Sequence, residues 1–279
     1  MKSKVMKKYK SNWRKVQLPE TLKHVGGMTS FQEKHLLYDV SVNHFKNIGC
    51  IVDGGCFLGG STMCLGVGLK DKINTEIIHA YDNFIANNKQ HNETHMPKGY
   101  KEGDSFLSLF KENIKEISHL VKIYNGNIIG QPPPDKNIEI FFVDIAKTPF
   151  INDYIVEHFF SLLIPGHSLV IHQDYIWCAC NGWIHTTMEY LSDYFEVVDI
   201  TDNTGTVVFQ LKKAIPKEKL RNVFFGRSKD EAIYLQIQAI KKLKLNEKQR
   251  CVLDQSIQDM ALNIDFWHDL NIKRMKNDF

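Results

Sequence analysis

The chain has 279 residues, 43% hydrophobic and 24% charged, the make-up of an ordinary water-soluble globular protein able to bury a sizeable core. Its formal net charge of +3 is too small to argue for nucleic acid, no apolar run approaches the roughly 18 residues a membrane span needs, and the N-terminus lacks a signal-peptide core. Cys50, Cys56, Cys64, Cys178, Cys180 and Cys251 form no Cys-x-x-Cys pair and no zinc-like spacing with histidine, so a reducing, cytoplasmic setting is expected.

Residues 1–28 open with Lys2, Lys4, Lys7, Lys8, Lys10, Arg14 and Lys15 and carry no acid before Glu20, which reads as a solvated basic arm. Residues 29–45 predict a helix with Thr29 or Ser30 as cap, Glu33 in a capping box, and Phe31, Leu36, Leu37, Val40 and Phe45 as its apolar stripe. A strand at 48–53, a glycine-rich loop and a small-residue helix at 61–69 follow. The second strand, 76–81, ends at Asp82-Asn83-Phe84. Residues 87–103 are polar and long for a connection, a candidate lid, with His91 and His95 read as surface histidines. Asp104 is the expected cap of a helix over 105–118, and the third strand, 120–124, ends in Asn125-Gly126-Asn127.

The run 138–144 has the continuous apolar character of a strand covered on both faces. A helix over 153–163, a fifth strand over 168–173 and a helix over 181–194 come next. Residues 195–200 and 206–211 read as a hairpin about Asp202-Asn203-Thr204-Gly205. After Pro216 the pattern is helical, over 219–225, 229–243 and 247–270. The fold class is therefore α/β, a doubly wound, seven-stranded, mostly parallel sheet with an N-terminal helix and a C-terminal helical extension. The organisation expected is an arm at 1–28, a main domain at 29–215 and the extension at 216–279, whose helices offer a surface for a homodimer.

The chain is organised around the loop Asp53-Gly54-Gly55-Cys56-Phe57-Leu58-Gly59-Gly60-Ser61-Thr62. Glycines there let the backbone approach a ligand beside the unpaired N–H groups of a helix start. A dinucleotide fingerprint requires Gly-x-Gly-x-x-Gly, whereas here the spacing is Gly55-x-x-x-Gly59 with the acid in front. A phosphate-binding P-loop requires a lysine where Gly60 stands. The stretch Asp53 to Gly59 resembles motif I of the class I S-adenosylmethionine (SAM) methyltransferases. The Gly-Gly-Ser-Thr ending is similar to the branch that methylates sugars and small hydroxylated molecules. This resemblance covers roughly residues 29–212. It implies a Rossmann-like methyltransferase fold that binds SAM through Asp53, Gly55, Gly59 and Ser61. It further implies Asp82 and Asn83 at the ribose, Asn127 at the adenine and Asp144 at the end of the fourth strand.

Ligands of an open α/β sheet bind outside the carboxyl ends of its strands. Asp144-Ile145-Ala146-Lys147 and His172-Gln173-Asp174-Tyr175 end the fourth and fifth strands. Together they resemble the metal-assisted O-methyltransferases of the catechol and macrolide-sugar types. That likeness implies Mg²⁺ or another divalent ion held by Asp144, Asp174 and the Gln173 carbonyl, with Lys147 as a base. The chain departs from the pattern at Ala146 and at Gln173-Asp174, so a metal-independent site with His172 as base stands beside it. The plainer alternative has Lys147 pairing with Asp144 and His172 buried in the core. Trp177 and Trp183 offer faces for a sugar or ring, or pack in the core.

The resemblance implies a SAM-dependent O-methyltransferase acting on a hydroxyl of a sugar-like or other small polar acceptor, as in glycan or polysaccharide biosynthesis. A non-catalytic SAM-fold module working through its helical tail is the alternative. An NAD-dependent oxidoreductase is disfavoured by the glycine spacing and the closing hairpin.

Overall fold

The computed structural model describes residues 8–86, 95–176, 181–263, 266–267 and 269. The expectations for Lys2, Lys4, Lys7, His91, Trp177, Cys178 and Cys180 lie outside the described residues. Seven strands form one sheet in the order β3-β2-β1-β4-β5-β7-β6. They are β1 Cys50–Gly54, β2 Ile78–Asp82, β3 Val121–Asn125, β4 Ile138–Val143, β5 Leu169–His172, β6 Phe195–Ile200 and β7 Val207–Leu211. β1 pairs in parallel with β2 and β4, β2 in parallel with β3, and β7 antiparallel with both β5 and β6. The closing antiparallel pair is the expected one. A dinucleotide-binding sheet instead runs 3-2-1-4-5-6.

The chain divides into two compact units, Tyr9–Ile145 and Ala146–Phe279, Lys8 belonging to the second. In the first, β1 and β4 are buried along their whole length, as strands covered on both faces require. β4 carries one acid, Glu139, fully buried. Its carboxylate accepts the backbone N–H groups of Lys46, Ile48 and Gly49 at 2.7, 2.6 and 2.9 Å, so the buried charge is hydrogen-bonded and the turn into β1 is fixed.

The helix Phe31–Asp39 starts at Ser30, and the capping box with Glu33 forms as expected. Phe31 departs from the predicted stripe: it lies in the first turn with its side chain 67% exposed, while Leu36, Leu37 and Val40 are buried. The basic arm also differs from a solvated tail from Tyr9 onward, since Tyr9, Trp13, Leu18 and Leu22 are buried. Asp39 pins it, accepting the Tyr9 hydroxyl at 2.9 Å and the Asn12 N–H at 3.1 Å. Asp104 does not cap the following helix. Its carboxylate accepts the Lys101 N–H at 2.7 Å, and the helix is shorter, Leu107–Asn113, tightening into a 3₁₀ stretch at Lys115–Leu120.

In the second unit the helix Pro149–Phe159 begins earlier than predicted because Thr148 caps it and Pro149 sits where a missing N–H costs nothing. Asp153 therefore lies inside the helix, buried, accepting the Phe224 and Phe225 N–H groups at 3.1 Å. Burial, opposed by those bonds, pushes its carboxyl up to about 6. The tail helices Lys229–Lys241 and Glu247–Leu262 start at Ser228 and Asn246 caps. A buried polar chain fastens them to the helix Gly182–Tyr190. His185 Nε2 meets the Tyr175 carbonyl at 2.5 Å, which makes Nε2 the protonated nitrogen and Nδ1 an acceptor for Gln236 Nε2 at 3.3 Å. Gln236 also donates to Ser256 Oγ at 3.2 Å. Among the described residues no helix is long and apolar enough to cross a membrane.

Candidate cofactor and acceptor sites

The glycine loop leaves β1 with its backbone still paired. Gly55 N–H donates to the Tyr81 carbonyl at 2.9 Å, and Asp144 N–H donates to the Gly54 carbonyl at 2.8 Å. Gly55 has φ +88°, and a Cβ there would lie 2.6 Å from the Asp144 carbonyl oxygen. Gly59 has φ +92°, and a Cβ would lie 2.7 Å from Ile114 Cγ2. Both positions therefore require glycine on conformation and on space. Asn113 Nδ2 fixes the far side by donating to the Leu58 carbonyl at 2.8 Å.

Two of the residues expected at the cofactor face each other in the interior. Asp53 is fully buried and accepts the hydroxyls of Ser61, at 3.0 and 2.9 Å, and Thr62, at 2.6 Å. Burial pushes its carboxyl up to about 7 against those hydrogen bonds. Asp53 and Ser61 thus join the strand end to the first turn of the following helix, Gly60–Gly66. Asp82 is placed differently. Its half-buried carboxylate accepts the N–H of Phe57, in the loop, at 2.9 Å and that of Phe84 at 2.8 Å. Asn83 and Asn127 are exposed and form Asx turns, their side-chain oxygens accepting Ile85 and Ile129 N–H at 3.1 and 3.0 Å. Asp144 is half-buried directly after β4.

In the second unit Lys147 and Asp174 form an ion pair, with side chains 53% and 12% exposed. Lys147 thus reaches an acid 27 residues further along the chain. Asn181 Nδ2 donates to the Asp174 carbonyl at 3.3 Å. Trp183 is buried, its indole N–H donating to the Ala146 carbonyl at 2.8 Å, so its ring supports the segment before Lys147 from within.

His172 is core. It is 2% exposed, neither ring nitrogen has a hydrogen-bond partner, and the rings of Tyr175 and Phe209 lie 6.2 and 6.0 Å away. Burial, then the neighbouring His185, lowers its pKa to about 3. A neutral, enclosed imidazole of that basicity does not take a proton from a substrate hydroxyl near pH 7. The donor set does not fit a divalent ion either. Asp174 carries the Lys147 ammonium, and no three His, Cys, Asp or Glu come together among the described residues. The Gln173 side-chain oxygen is buried without a partner.

Sequence reasoning missed the conformation of the loop tip. Phe57 and Phe84, the two residues whose N–H groups bond Asp82, are left-handed at φ 45° and 52°. No residue type in the loop signals it, since phenylalanine is among the side chains that avoid this region.

The strand order is that of the class I methyltransferase fold. Solved structures similar to this chain are methyltransferases. The calicheamicin methyltransferase CalS11 is 12% identical over 65% of this chain and 80% of its own, with a TM-score of 0.45. Precorrin-6y C5,15-methyltransferase from Geobacter metallireducens is 11% identical over 67% and 89%, with a TM-score of 0.40. TrmK of M. capricolum, in complex with S-adenosyl-homocysteine, is 12% identical over 86% and 99%, with a TM-score of 0.36. No protein-family model and no curated protein matches the sequence.

Proposed function

We propose that the chain is a SAM-dependent methyltransferase acting on a hydroxyl of a sugar-like or other small polar acceptor. The observation that carries this reading is the loop after β1, closed by two obligatory glycines and bonded at Phe57 to the carboxylate that ends β2. The residues fit the donor. Asp82 is a half-exposed acid beside loop backbone groups, suited to ribose hydroxyls, and Asn127 follows β3, suited to the base. Gly55 and Gly59 keep the backbone of the loop bare of side chains where the donor would lie.

When bound, SAM supplies a methyl group already activated on a sulfonium, so the protein is left with positioning and with the hydroxyl proton. Methyl moves from sulfur to the acceptor oxygen, the sulfonium becomes a neutral thioether, and the hydroxyl gives up its proton. Asp174 is the group proposed to take that proton. Lys147, held against it, offsets charge on the acceptor oxygen as the O–H bond breaks.

The test is methyl transfer from isotope-labelled SAM to a panel of free sugars, sugar nucleotides and catechols. An O-methylated product from the wild type, lost in Asp174→Asn with SAM affinity intact, is the expected result. SAM binding without transfer to any hydroxyl in the panel would refute the acceptor class.

A further inference from the structure

Four non-glycine residues among those described have positive φ: Asn47, Phe57, Phe84 and Asn222. Asparagine adopts this region readily, since its short polar side chain bonds locally; phenylalanine does not. Both phenylalanines converge on the same two groups. Their N–H groups donate to the two oxygens of one carboxylate, Asp82 Oδ2 for Phe57 and Oδ1 for Phe84. Their rings both meet Phe106 edge-on, with centroids 5.3 and 5.8 Å away at interplanar angles of 77° and 71°. Phe106 N–H in turn donates to the Phe84 carbonyl at 2.9 Å, and Phe84 packs 4.9 Å from Phe110.

Backbone strain of this kind persists only where the surroundings over-determine it. Glycine at either position would hold the same backbone without strain, so what the chain retains by keeping phenylalanine is the ring. For Phe84 the ring is buried core. For Phe57 that account is incomplete, because the residue is only half-buried and falls in the loop between Gly55 and Gly59 along the chain.

We propose that Phe57 is a cofactor-positioning residue, whose ring walls the methyl-donor site and is aimed there by Asp82 acting on its backbone N–H. The inference rests on the SAM reading given above. Asp82 then has two tasks, hydrogen-bonding the donor and holding the loop tip in its strained form before the donor arrives.

The experiment is calorimetric titration of wild type, Phe57→Gly, Phe57→Asn and Phe57→Tyr with SAM, beside thermal melting of each. Glycine and asparagine relieve the strain and delete the ring, whereas tyrosine keeps both. The expected result is melting temperatures near wild type for all three, SAM affinity at least about tenfold weaker in Phe57→Gly and Phe57→Asn, and affinity restored in Phe57→Tyr. Wild-type affinity in the glycine and asparagine variants would overturn the inference while leaving the SAM reading in place. Unfolding of both would also overturn it, since the ring would then be structural. Failure of the wild type itself to bind SAM would instead remove the reading on which it rests.

Discussion

Replacing Gly55 by alanine tests the loop geometry most severely. The new Cβ would stand 2.6 Å from the Asp144 carbonyl oxygen and 2.8 Å from its carbon, so main chain meets main chain with no flexible side chain to yield. At φ +88° an L-residue adds a conformational cost of about 1–2 kcal/mol. The forced overlap adds about 1–3 kcal/mol, as overpacking in well-packed interiors does. Together these give roughly 2–5 kcal/mol, or a fall in melting temperature of about 4–20 °C for a chain of this size. Gly26→Ala is the control, because nothing lies within 4 Å of a Cβ built there and its change should stay within about 0.5 kcal/mol. Circular dichroism melting of the three proteins decides it. A Gly55→Ala melting point within about 2 °C of wild type would refute the close approach of the loop to the end of β4.

Other consequences concern chemistry, packing and pH. Lys147→Met should lower stability by about 1–3 kcal/mol, since the Asp174 carboxylate, 12% exposed, loses its ion-pair partner. It should cut methyl transfer by about a hundredfold or more, and full turnover would remove the pair from the mechanism. Gln236→Leu strips His185 Nδ1 and Ser256 of a buried partner and should cost about 1–3 kcal/mol in urea unfolding, whereas an unchanged midpoint would deny the network its role in fastening the tail. Burial lowers His172 and His185 to about 3 and about 4 in the fold, against about 6.5 unfolded. The unfolded chain then binds more protons, so stability present above pH ~6.5 is lost as pH falls towards 4. Asp53 and Asp153 work in the opposite sense, their contribution being fully present below pH ~4 and lost as pH rises through about 7 and about 6. His172→Phe removes one titrating group from the acid side, so it should lose less stability than wild type between pH 7 and pH 5. Equal losses would contradict the depressed histidine.

Where a segment's fate is set by its own residues, the sequence was readable. β4 declares itself as an uninterrupted apolar run, the hairpin by Asp202 to Gly205, and the helix start at Ser30 by Glu33 three residues on. The difficult cases turn on distant partners. Nothing local to Lys147 announces the ion pair it forms with Asp174, 27 residues further on. His172 looks polar at a strand end until Tyr175, Phe209 and His185 close around it. Asp53 reads as a ligand-facing acid, but Ser61 and Thr62 return to it within the first turn of the next helix and draw it inward. Asp104 sits correctly for a cap and is claimed instead by the turn at Lys101. The left-handed phenylalanines were unreadable because local preference opposes them and distant groups, the Asp82 carboxylate and the Phe106 ring among them, hold them there.

The central claim is that the loop after β1, with Asp82 beside it, binds a methyl donor. Calorimetric titration of the folded wild-type chain with SAM and with its demethylated product tests it directly, Asp82→Ala serving as comparison. Micromolar, one-to-one binding of both compounds by the wild type, weakened in the variant, is the predicted result. Absence of heat with either compound from a folded wild-type protein would contradict the account.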